Sequence, residues 1–421
     1  MTGARFTLPA VLTLAIAACA TNPVTGREEL SLVSGREELA IGEQQYGPAQ
    51  QSQGGPYYLD PRLQNYVRSV GNRLAAQSDR PLPYEFVVLD NPVPNAWALP
   101  GGKIAVNSGL LLHLQDEAEL AAVVGHEIVH AAARHGASQM SKGSLINLGA
   151  ELLGVAGQQA GLGNLAGQAA QLGAGAWMAR YSREAELEAD AYGMDYMERA
   201  GYDPQAAVDV QETFVKLDAS GNRDFISGLF ASHPPSQERV NANQRRLQNF
   251  PPGGVRNADA YQRATAQLRK DAPAYAAEKK ALAALQGQDA PGAIKALDQA
   301  IAIEPGEGRF WELRGHARAM LDQWSDAEAD FTAAIDRDPG YYRHHLARGA
   351  LRFERQRYPE AQQDLEASRR LLPTALASLY LGEIAAANGD LSRADTYYRE
   401  AAADPGPVGQ RARQRLGRLY R

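Results

Sequence analysis

A repeat with a period of 34 residues is the feature that most restricts how this chain can fold. Two sets of residues keep that step, one of prolines and one of alanines: Pro305, Pro339 and Pro373, and Ala293, Ala327 and Ala361. Small residues allow two helices to cross closely, and a proline ends the second helix. Units of this kind bury their apolar faces by stacking on one another, so the C-terminal part is predicted to be an all-α solenoid.

The period and the positions of the small residues resemble the tetratricopeptide repeat, and about four repeats fit into residues 274–421. An unpatterned helical bundle is the alternative, but it gives no reason for registers that agree. The composition changes after the Pro-Pro-Gly-Gly stretch at 251–254, which places the predicted end of the preceding domain at residue 255. Residues 256–273 are then predicted to be a linker.

The charge and composition of the 421-residue chain exclude several classes of function. Its 43 basic and 49 acidic residues give a net charge of −6, which argues against nucleic-acid binding as the main activity. The single cysteine excludes an intrachain disulfide and a cysteine-rich zinc ribbon. The sequence has no apolar run as long as a transmembrane helix, which needs about 18 residues, so a membrane-spanning bundle is excluded as well.

The N-terminus has the layout of an export signal. Arg5 precedes an apolar stretch that ends at Ala18, which is too short to span a bilayer but typical of a signal peptide. This ending resembles a bacterial lipobox, which implies that residues 1–18 are removed and that Cys19 is acylated; a buried helix with a chance cysteine is the alternative. We therefore predict a periplasmic protein that is lipid-anchored to the outer membrane, with residues 19–56 as an anchor and linker segment.

Residues 57–255 are predicted to form an α+β domain with a small sheet, so that the chain as a whole is mainly α. Helical and strand patterns alternate along this domain, with helices at 59–76, 116–133 and 184–200 and strands at 84–89 and 103–107. An edge strand is expected near residues 95–102. The Gly- and Ala-rich residues 144–175 are predicted to be a helical hairpin or a lid.

The motif His126-Glu-x-x-His130 lies inside the helix predicted at 116–133. Because an α-helix turns once in 3.6 residues, the two histidines project from one face and can bind one zinc ion. Glu127 lies beside that face, where its carboxylate can act as a general base. Apolar residues on both sides of the motif indicate that the helix is buried, as such a site requires.

A catalytic zinc needs a third protein ligand, and the carboxylates of the next helix are the candidates. Glu186 and Asp190 are four residues apart and share a face. This suits Glu186 as the ligand and Asp190 as an acceptor for the outer nitrogen of a zinc histidine. Spacing alone leaves Glu184 and Glu188 open as ligands, although a solvated charged face suits both of them better. His135 is expected to lie too far round its helix to join.

These motifs together resemble the zinc peptidases of metallopeptidase family forty-eight. Three further segments resemble that family: Asn22–Gly26 (Asn-Pro-Val-Thr-Gly), Asn95–Gly102, and His233–Ser236 with Glu238 and Arg239. With the repeats, the match is to a periplasmic branch of the family and covers most of the chain. The resemblance implies a zincin-like fold and one zinc ion per chain, held by His126, His130 and Glu186, with Glu127 as the base.

The resemblance also draws attention to His233. In that branch the matching histidine is a candidate fourth ligand that keeps the enzyme latent, and hydrogen bonding to the transition state is the other role. Four protein ligands close a zinc site, whereas three leave one position open. A loop histidine packed beside Pro234 and Pro235 is the simplest interpretation of so short a motif. Arg239 is expected to pair with a carboxylate near the site.

The motifs, the resemblance and the repeats together predict a zinc-dependent endopeptidase of the bacterial cell envelope, acting on misfolded or stalled outer-membrane and periplasmic proteins. The repeats are expected to bind substrates or an outer-membrane assembly complex through their concave face. A chaperone or assembly scaffold with a latent zinc site is the main alternative. A metallohydrolase for small substrates would leave the repeats unexplained.

Overall fold

The computed structural model describes residues 19–141 and 181–419. The predicted signal peptide and the hairpin or lid predicted at 144–175 lie outside these residues. The chain divides into two compact units, Met1–Ala266 and Gln267–Arg421. In the described residues the first unit is mainly helical with a small sheet and the second is helical, which confirms the predicted fold class. None of the described helices is long and apolar enough to cross a membrane.

The first unit combines short strands with helices of very different length. Its strands are β1 (Cys19–Thr21), β2 (Glu28–Leu30), β3 (Glu85–Leu89), β4 (Ala96–Leu99) and β5 (Lys103–Asn107). Its helices are α1 (Gly35–Ser52), α2 (Pro61–Ala75), α3 (Ser108–Leu111), α4 (Glu117–Ala132), α5 (Arg183–Arg199), α6 (Gln205–Ala219), α7 (Arg223–Ser227), α8 (Leu229–Ser232), α9 (Gln237–Leu247) and α10 (Ala258–Ala264). Residues 135–141 are helical as well.

Strands β3, β5 and β4 form one sheet in that order. β5 is parallel to β3 and antiparallel to β4, with Ala96 opposite Val106. The expected edge strand is therefore β4. Helix α1 packs on this sheet, since its buried Tyr46 donates a hydrogen bond to the carbonyl oxygen of Ile104 at 3.0 Å. Residues 19–56, predicted to be an anchor and linker segment, thus contribute to the core of the first unit.

Helix α4 lies at the centre of the first unit, and all of its residues are buried. It packs against α2, α5 and α6 and against β4. Its N-terminus is capped reciprocally: Asp116 accepts a hydrogen bond from the Glu119 amide at 2.9 Å, and Glu119 accepts one from the Gln115 amide at 2.8 Å. Since its polar side chains are buried as well, they need partners from the surrounding elements.

The segment that follows the predicted domain end also supports α4. Arg256 donates to the capping carboxylate of Asp116 at 2.7 Å, and its carbonyl oxygen accepts a hydrogen bond from Glu117. Tyr261 in α10 is fully buried and donates to the carbonyl oxygen of Leu111 at 2.6 Å. The division between the two units therefore falls inside the stretch predicted to be a linker, and the domain bounds given above remain a prediction.

The second unit consists of helices that pack in pairs. They are α11 (Ala266–Gln286), α12 (Ala290–Ile303), α13 (Gly308–Ala319), α14 (Trp324–Arg337), α15 (Tyr342–Glu354), α16 (Tyr358–Leu371), α17 (Ala375–Ala387), α18 (Leu391–Ala402) and α19 (Pro407–Leu419). One ion pair repeats with the predicted period. Arg314 binds Asp330 at 2.7 Å, and 34 residues later Arg348 binds Asp364 at 2.8 Å. The 34-residue period therefore applies to an Arg–Asp ion pair as well as to the small residues.

Candidate metal centre

The site lies where α4 crosses α5, and two glycines set the separation of these helices. A Cβ atom at Gly125 would lie 3.3 Å from the carbonyl oxygen of Gly193, and one at Gly193 would lie 3.2 Å from the backbone nitrogen of His126. The two backbones are therefore closer than side chains at this crossing would allow. This approach places the carboxylates of the first two turns of α5 beside the histidines of α4.

Four buried side chains converge at this crossing, and one donor atom from each lies within 4.8 Å of the others: His126, His130, Glu186 and His233. The Nε2 atoms of the two α4 histidines are 3.0 Å apart. Glu186 Oε1 lies 3.3 Å from His130 Nε2 and 3.0 Å from His233 Nδ1. The structure thus brings the three side chains predicted as ligands together with His233.

The separations of these donor atoms fit a metal ion. Tetrahedral zinc with nitrogen and oxygen ligands at about 2.0–2.2 Å holds its donors roughly 3.3 Å apart. Five of the six pairs here have contacts of 3.0 to 3.6 Å, and all four donor atoms lie within 4.8 Å of one another.

The proton positions lead to the same conclusion. Asp190 Oδ1 lies 2.9 Å from His126 Nδ1 and accepts its proton, so a lone pair on Nε2 is available to a metal ion. That lone pair faces His130 Nε2, and a cation between the two rings makes the contact favourable. We name His126, His130, Glu186 and His233 the metal cluster.

The guanidinium of Arg239 compensates the carboxylates of the site, as expected from the sequence. It donates twice to Asp190 at 2.7 Å, and its Nη1 lies 2.7 Å from Glu186 Oε2 as an ion pair without good hydrogen-bond alignment. Burial raises the pKa of a carboxyl group, but His233 and Arg239 hold the pKa of Glu186 well below its usual value. Arg239 likewise outweighs burial and lowers the pKa of Asp190. Both carboxylates therefore stay ionised.

Glu127 lies beside the metal cluster and is 1% exposed. Its Oε1 is 3.6 Å from His233 Nε2, and its Oε2 accepts no hydrogen bond from the described residues. Burial raises the pKa of this carboxyl group, although the nearby histidines act in the opposite direction. A carboxyl group with a raised pKa takes up a proton readily.

His233 ends α8, and its ring does not merely pack beside prolines. Its amide donates to the carbonyl oxygen of Leu229 at 2.8 Å, while Arg239 donates to the carbonyl oxygen of Pro234 at 3.2 Å. These contacts hold the buried His233 ring in place. Its Nδ1 faces the other members of the metal cluster, and its Nε2 faces Glu127. Burial lowers a histidine pKa, but the carboxylates of Glu186 and Glu127 raise that of His233 above its usual value.

Several contacts of the site have no counterpart in the sequence analysis. Tyr181 stacks on His130 with ring centroids 3.9 Å apart, and the only local signal is its place directly before the helix-capping Ser182. His135 is not in the metal cluster, as expected, but it lies 2.9 Å from His130 Nδ1. Glu188 is half-buried and contacts His135, so the solvated face expected for it is wrong, whereas Glu184 is exposed.

The backbone of Cys19, the predicted lipidation site, pairs with that of Leu30 at the start of β1, and nothing more of Cys19 is described.

A mainly apolar cavity adjoins the metal cluster. Its apolar lining comes from four helices: Val123, Met194, Met197, Val210, Phe214 and Leu229. Gln211 and Asn243 also line this cavity, and one polar atom of each has no partner among the described residues. Its free volume of about 30 Å³ is enough for one or two water molecules and leaves no room for a bulky side chain.

Comparison with known proteins gives two matches along the chain. Residues 61–247 match the sequence profile of Peptidase family M48. Residues 279–342, 312–374 and 346–407 each match a tetratricopeptide repeat profile. Among solved structures, the TPR domain of Arabidopsis OM64 aligns with 28% of this chain and 98% of its own length, at 24% identity and a TM-score of 0.27.

Three curated relatives share the first match. Metalloprotease YcaL of Escherichia coli K12 is 33% identical over 192 residues, which are 44% of this chain and 69% of the relative. The β-barrel assembly-enhancing protease of the same organism is 28% identical over 325 residues, 70% of this chain and 65% of the relative. The protein of that name from Yersinia pestis is 30% identical over 250 residues, 57% of this chain and 50% of the relative.

The chain thus spans between half and 65% of the length of these two assembly-enhancing proteases. The profile match covers α2 to α9, which contain every side chain of the metal cluster. From this match, the relatives and the geometry of the cluster, the chain belongs to peptidase family M48 and carries C-terminal tetratricopeptide repeats.

Proposed function

We propose that this protein is a zinc-dependent endopeptidase. The observation that carries the proposal is the convergence of His126, His130 and Glu186 on one point, with the buried carboxylate of Glu127 beside it. These three side chains would hold one zinc ion per chain. When bound, the metal supplies Lewis-acid chemistry, which polarises a peptide carbonyl and makes water more acidic.

The residues of the chain supply the proton transfers. Glu127 would take a proton from the attacking water on its Oε2, which has no other hydrogen-bond partner among the described residues. Its raised pKa keeps that proton available for the leaving amine of the peptide. Asp190 and Arg239 hold His126 in the orientation that turns its Nε2 toward the metal cluster.

His233 would keep the resting enzyme latent. Its Nδ1 lies within 3.3 Å of His126 Nε2 and 3.0 Å of Glu186 Oε1, so it takes the place of a fourth donor. Four protein donors close a zinc site, and a substrate needs one position open. Movement of His233 would open that position; stabilising the transition state by a hydrogen bond is the other role that its position permits.

We place the activity in the bacterial cell envelope. Two relatives are named β-barrel assembly-enhancing proteases, and the repeats are of a kind that binds proteins. Misfolded or stalled outer-membrane and periplasmic proteins would be the substrates. The repeats would bind these substrates or an outer-membrane assembly complex, and an acylated Cys19 would anchor the protein to the outer membrane.

The test uses the chain from Ala20 onward, with zinc content and casein cleavage measured for the wild type, Glu127→Gln and His233→Ala. Wild type is expected to hold about one zinc ion, and Glu127→Gln to keep the metal but cleave at least ~100-fold more slowly. His233→Ala is expected to cleave faster than wild type. Glu184→Gln, an exposed carboxylate of α5, is the control and should match wild type. A Glu127→Gln variant as active as wild type would refute the peptidase.

A second function is favoured by the closed donor set of the metal cluster. If the site is shut most of the time, the protein would act mainly as a chaperone or assembly scaffold through its repeats. The discriminating experiment compares Glu127→Gln with wild type in an assay of outer-membrane protein assembly in cells that lack the protein. Full rescue by the inactive variant would favour the scaffold, and no rescue would favour the peptidase.

A further inference from the structure

The outer nitrogen of His130 is held by a chain of buried polar groups that the proposed mechanism does not use. His130 Nδ1 lies 2.9 Å from His135 Nδ1, and His135 Nε2 lies 3.2 Å from Glu188 Oε1. Asn22 donates to the same carboxylate oxygen at 2.8 Å. His135 and Asn22 are 6% and 1% exposed, whereas Glu188 is half-buried and lines a cavity together with His135.

The turn around Asn22 fixes the direction of its carboxamide. Its Oδ1 accepts hydrogen bonds from the amides of Val24 and Thr25 at 2.9 and 3.2 Å. Its backbone pairs with Arg27 and Gly26 across the turn, and Gly26 has the left-handed φ of 71° that glycine adopts easily. The Nδ2 group then donates to two carboxylates, Glu188 Oε1 and Glu29 Oε1, each at 2.8 Å.

The hydrogen bonds from His130 through His135 to Glu188 can all donate in the same direction. A histidine that offers Nε2 to a metal carries its proton on Nδ1, so His130 donates to His135 Nδ1. His135 then carries its proton on Nε2 and donates it to Glu188. The Glu188 carboxylate is the final acceptor, because its Oε1 receives hydrogen bonds from His135 Nε2 and Asn22 Nδ2. Every donor meets an acceptor without an extra charge on either histidine.

We propose that His135, Glu188 and Asn22 are positioning residues that hold His130 in the tautomer and orientation needed for metal binding. The residues of the Asn22–Gly26 turn, outside α4 and α5, thereby contribute to metal affinity. The inference rests on the proposed function only in that the metal cluster binds zinc. It gives a physical role to a segment of the sequence that the mechanism leaves without one.

The experiment measures zinc affinity of the full chain by competition with a chelator, and the visible spectrum of the cobalt-substituted protein. His135→Leu removes both hydrogen bonds and is expected to lower zinc affinity by about 10- to 100-fold and to shift the cobalt bands. His135→Asn keeps an acceptor near the Nδ1 position and is expected to recover part of the affinity. Asn22→Asp places a further carboxylate against those of Glu188 and Glu29 and is expected to weaken zinc binding, more than Asn22→Ala does.

The control is Glu184→Gln, an exposed carboxylate on the helix that carries Glu188. Wild-type zinc affinity and cobalt spectrum in His135→Leu, Asn22→Asp and Asn22→Ala would overturn the inference while leaving the proposed function intact. A wild-type chain that binds neither zinc nor cobalt would overturn both. Because Asn22 is a buried residue of a turn outside α4, its variants keep the test valid if His135→Leu does not fold.

Discussion

At the scale of single residues, Arg239 decides whether the site can hold its charges. Two carboxylates and the carbonyl of the His233 loop converge on one buried guanidinium: Asp190, Glu186 and Pro234. Its delocalised charge and fixed fork of donors suit this role better than a lysine would. Removing it leaves buried negative charge without compensation.

Arg239→Met is therefore expected to destabilise the first unit by about 3–5 kcal/mol in the absence of metal. Urea unfolding measures this change, with hydrogen exchange of peptides from α4 and α5 as the signal. Arg183→Met removes an arginine from the exposed ion pair with Glu238 and is the matched control, for which little change is expected. Equal stability of the two variants would show that the buried carboxylates are not held by Arg239.

The residues that the sequence could identify are those whose chemistry depends on spacing within one helix. His126 and His130 share a face because they are four residues apart, and the same holds for Glu186 and Asp190. Contacts between elements have no such signature. His135 was placed correctly outside the metal cluster, but its contact with Glu188 depends on how α5 lies against the end of α4, which spacing does not report.

At the scale of elements, the site depends on how closely α4 and α5 approach each other. Gly125 and Gly193 face each other at the crossing, and neither position leaves room for a Cβ atom without some movement of backbone. The sequence predicted both helices from their periodicity, but it did not predict where they cross. A glycine in a helix costs stability, so two of them at one crossing indicate a demand for close packing.

Gly193→Ala is expected to lower zinc affinity about tenfold or more, because the added methyl group pushes α5 and its carboxylates away from His126. Competition with a chelator measures the effect. The control is Gly417→Ala, an exposed helical glycine with no atom within 4 Å of the added Cβ, where the better helix former should leave zinc affinity unchanged. Unchanged affinity in Gly193→Ala would mean that the crossing tolerates a wider separation.

At the scale of the whole molecule, the first unit extends beyond the domain end predicted from composition. The Pro-Pro-Gly-Gly stretch has the composition of a boundary, yet Arg256 caps the helix that carries His126 and His130, and Tyr261 is fully buried. A change of composition indicates a turn in the chain. It does not indicate whether the residues after the turn still pack into the preceding hydrophobic core. The type of repeat, in contrast, was predicted from the sequence because each unit obeys the same local rules, and the profile matches confirm it.

A chain that ends at Ala266 is expected to fold, bind zinc and cleave casein, and to lose the partner binding of the repeats. A chain that ends at Val255 lacks the Arg256 cap and the Tyr261 side chain, and is expected to be less stable by at least ~3–5 kcal/mol. Urea unfolding of the two truncated chains measures the difference. If both chains unfold at the same urea concentration, α10 is dispensable for the first unit.

The strand pairing of Cys19 with Leu30 and the fixed turn at Asn22 set a limit on reach. Three residues of extended chain span at most about 11 Å. If Cys19 carries acyl chains, no long flexible linker separates the lipid anchor from the first unit. The metal cluster would then lie close to the membrane surface. Proteins that are still emerging from or entering the bilayer would then meet the active site before proteins that diffuse freely, so proximity would select substrates ahead of sequence.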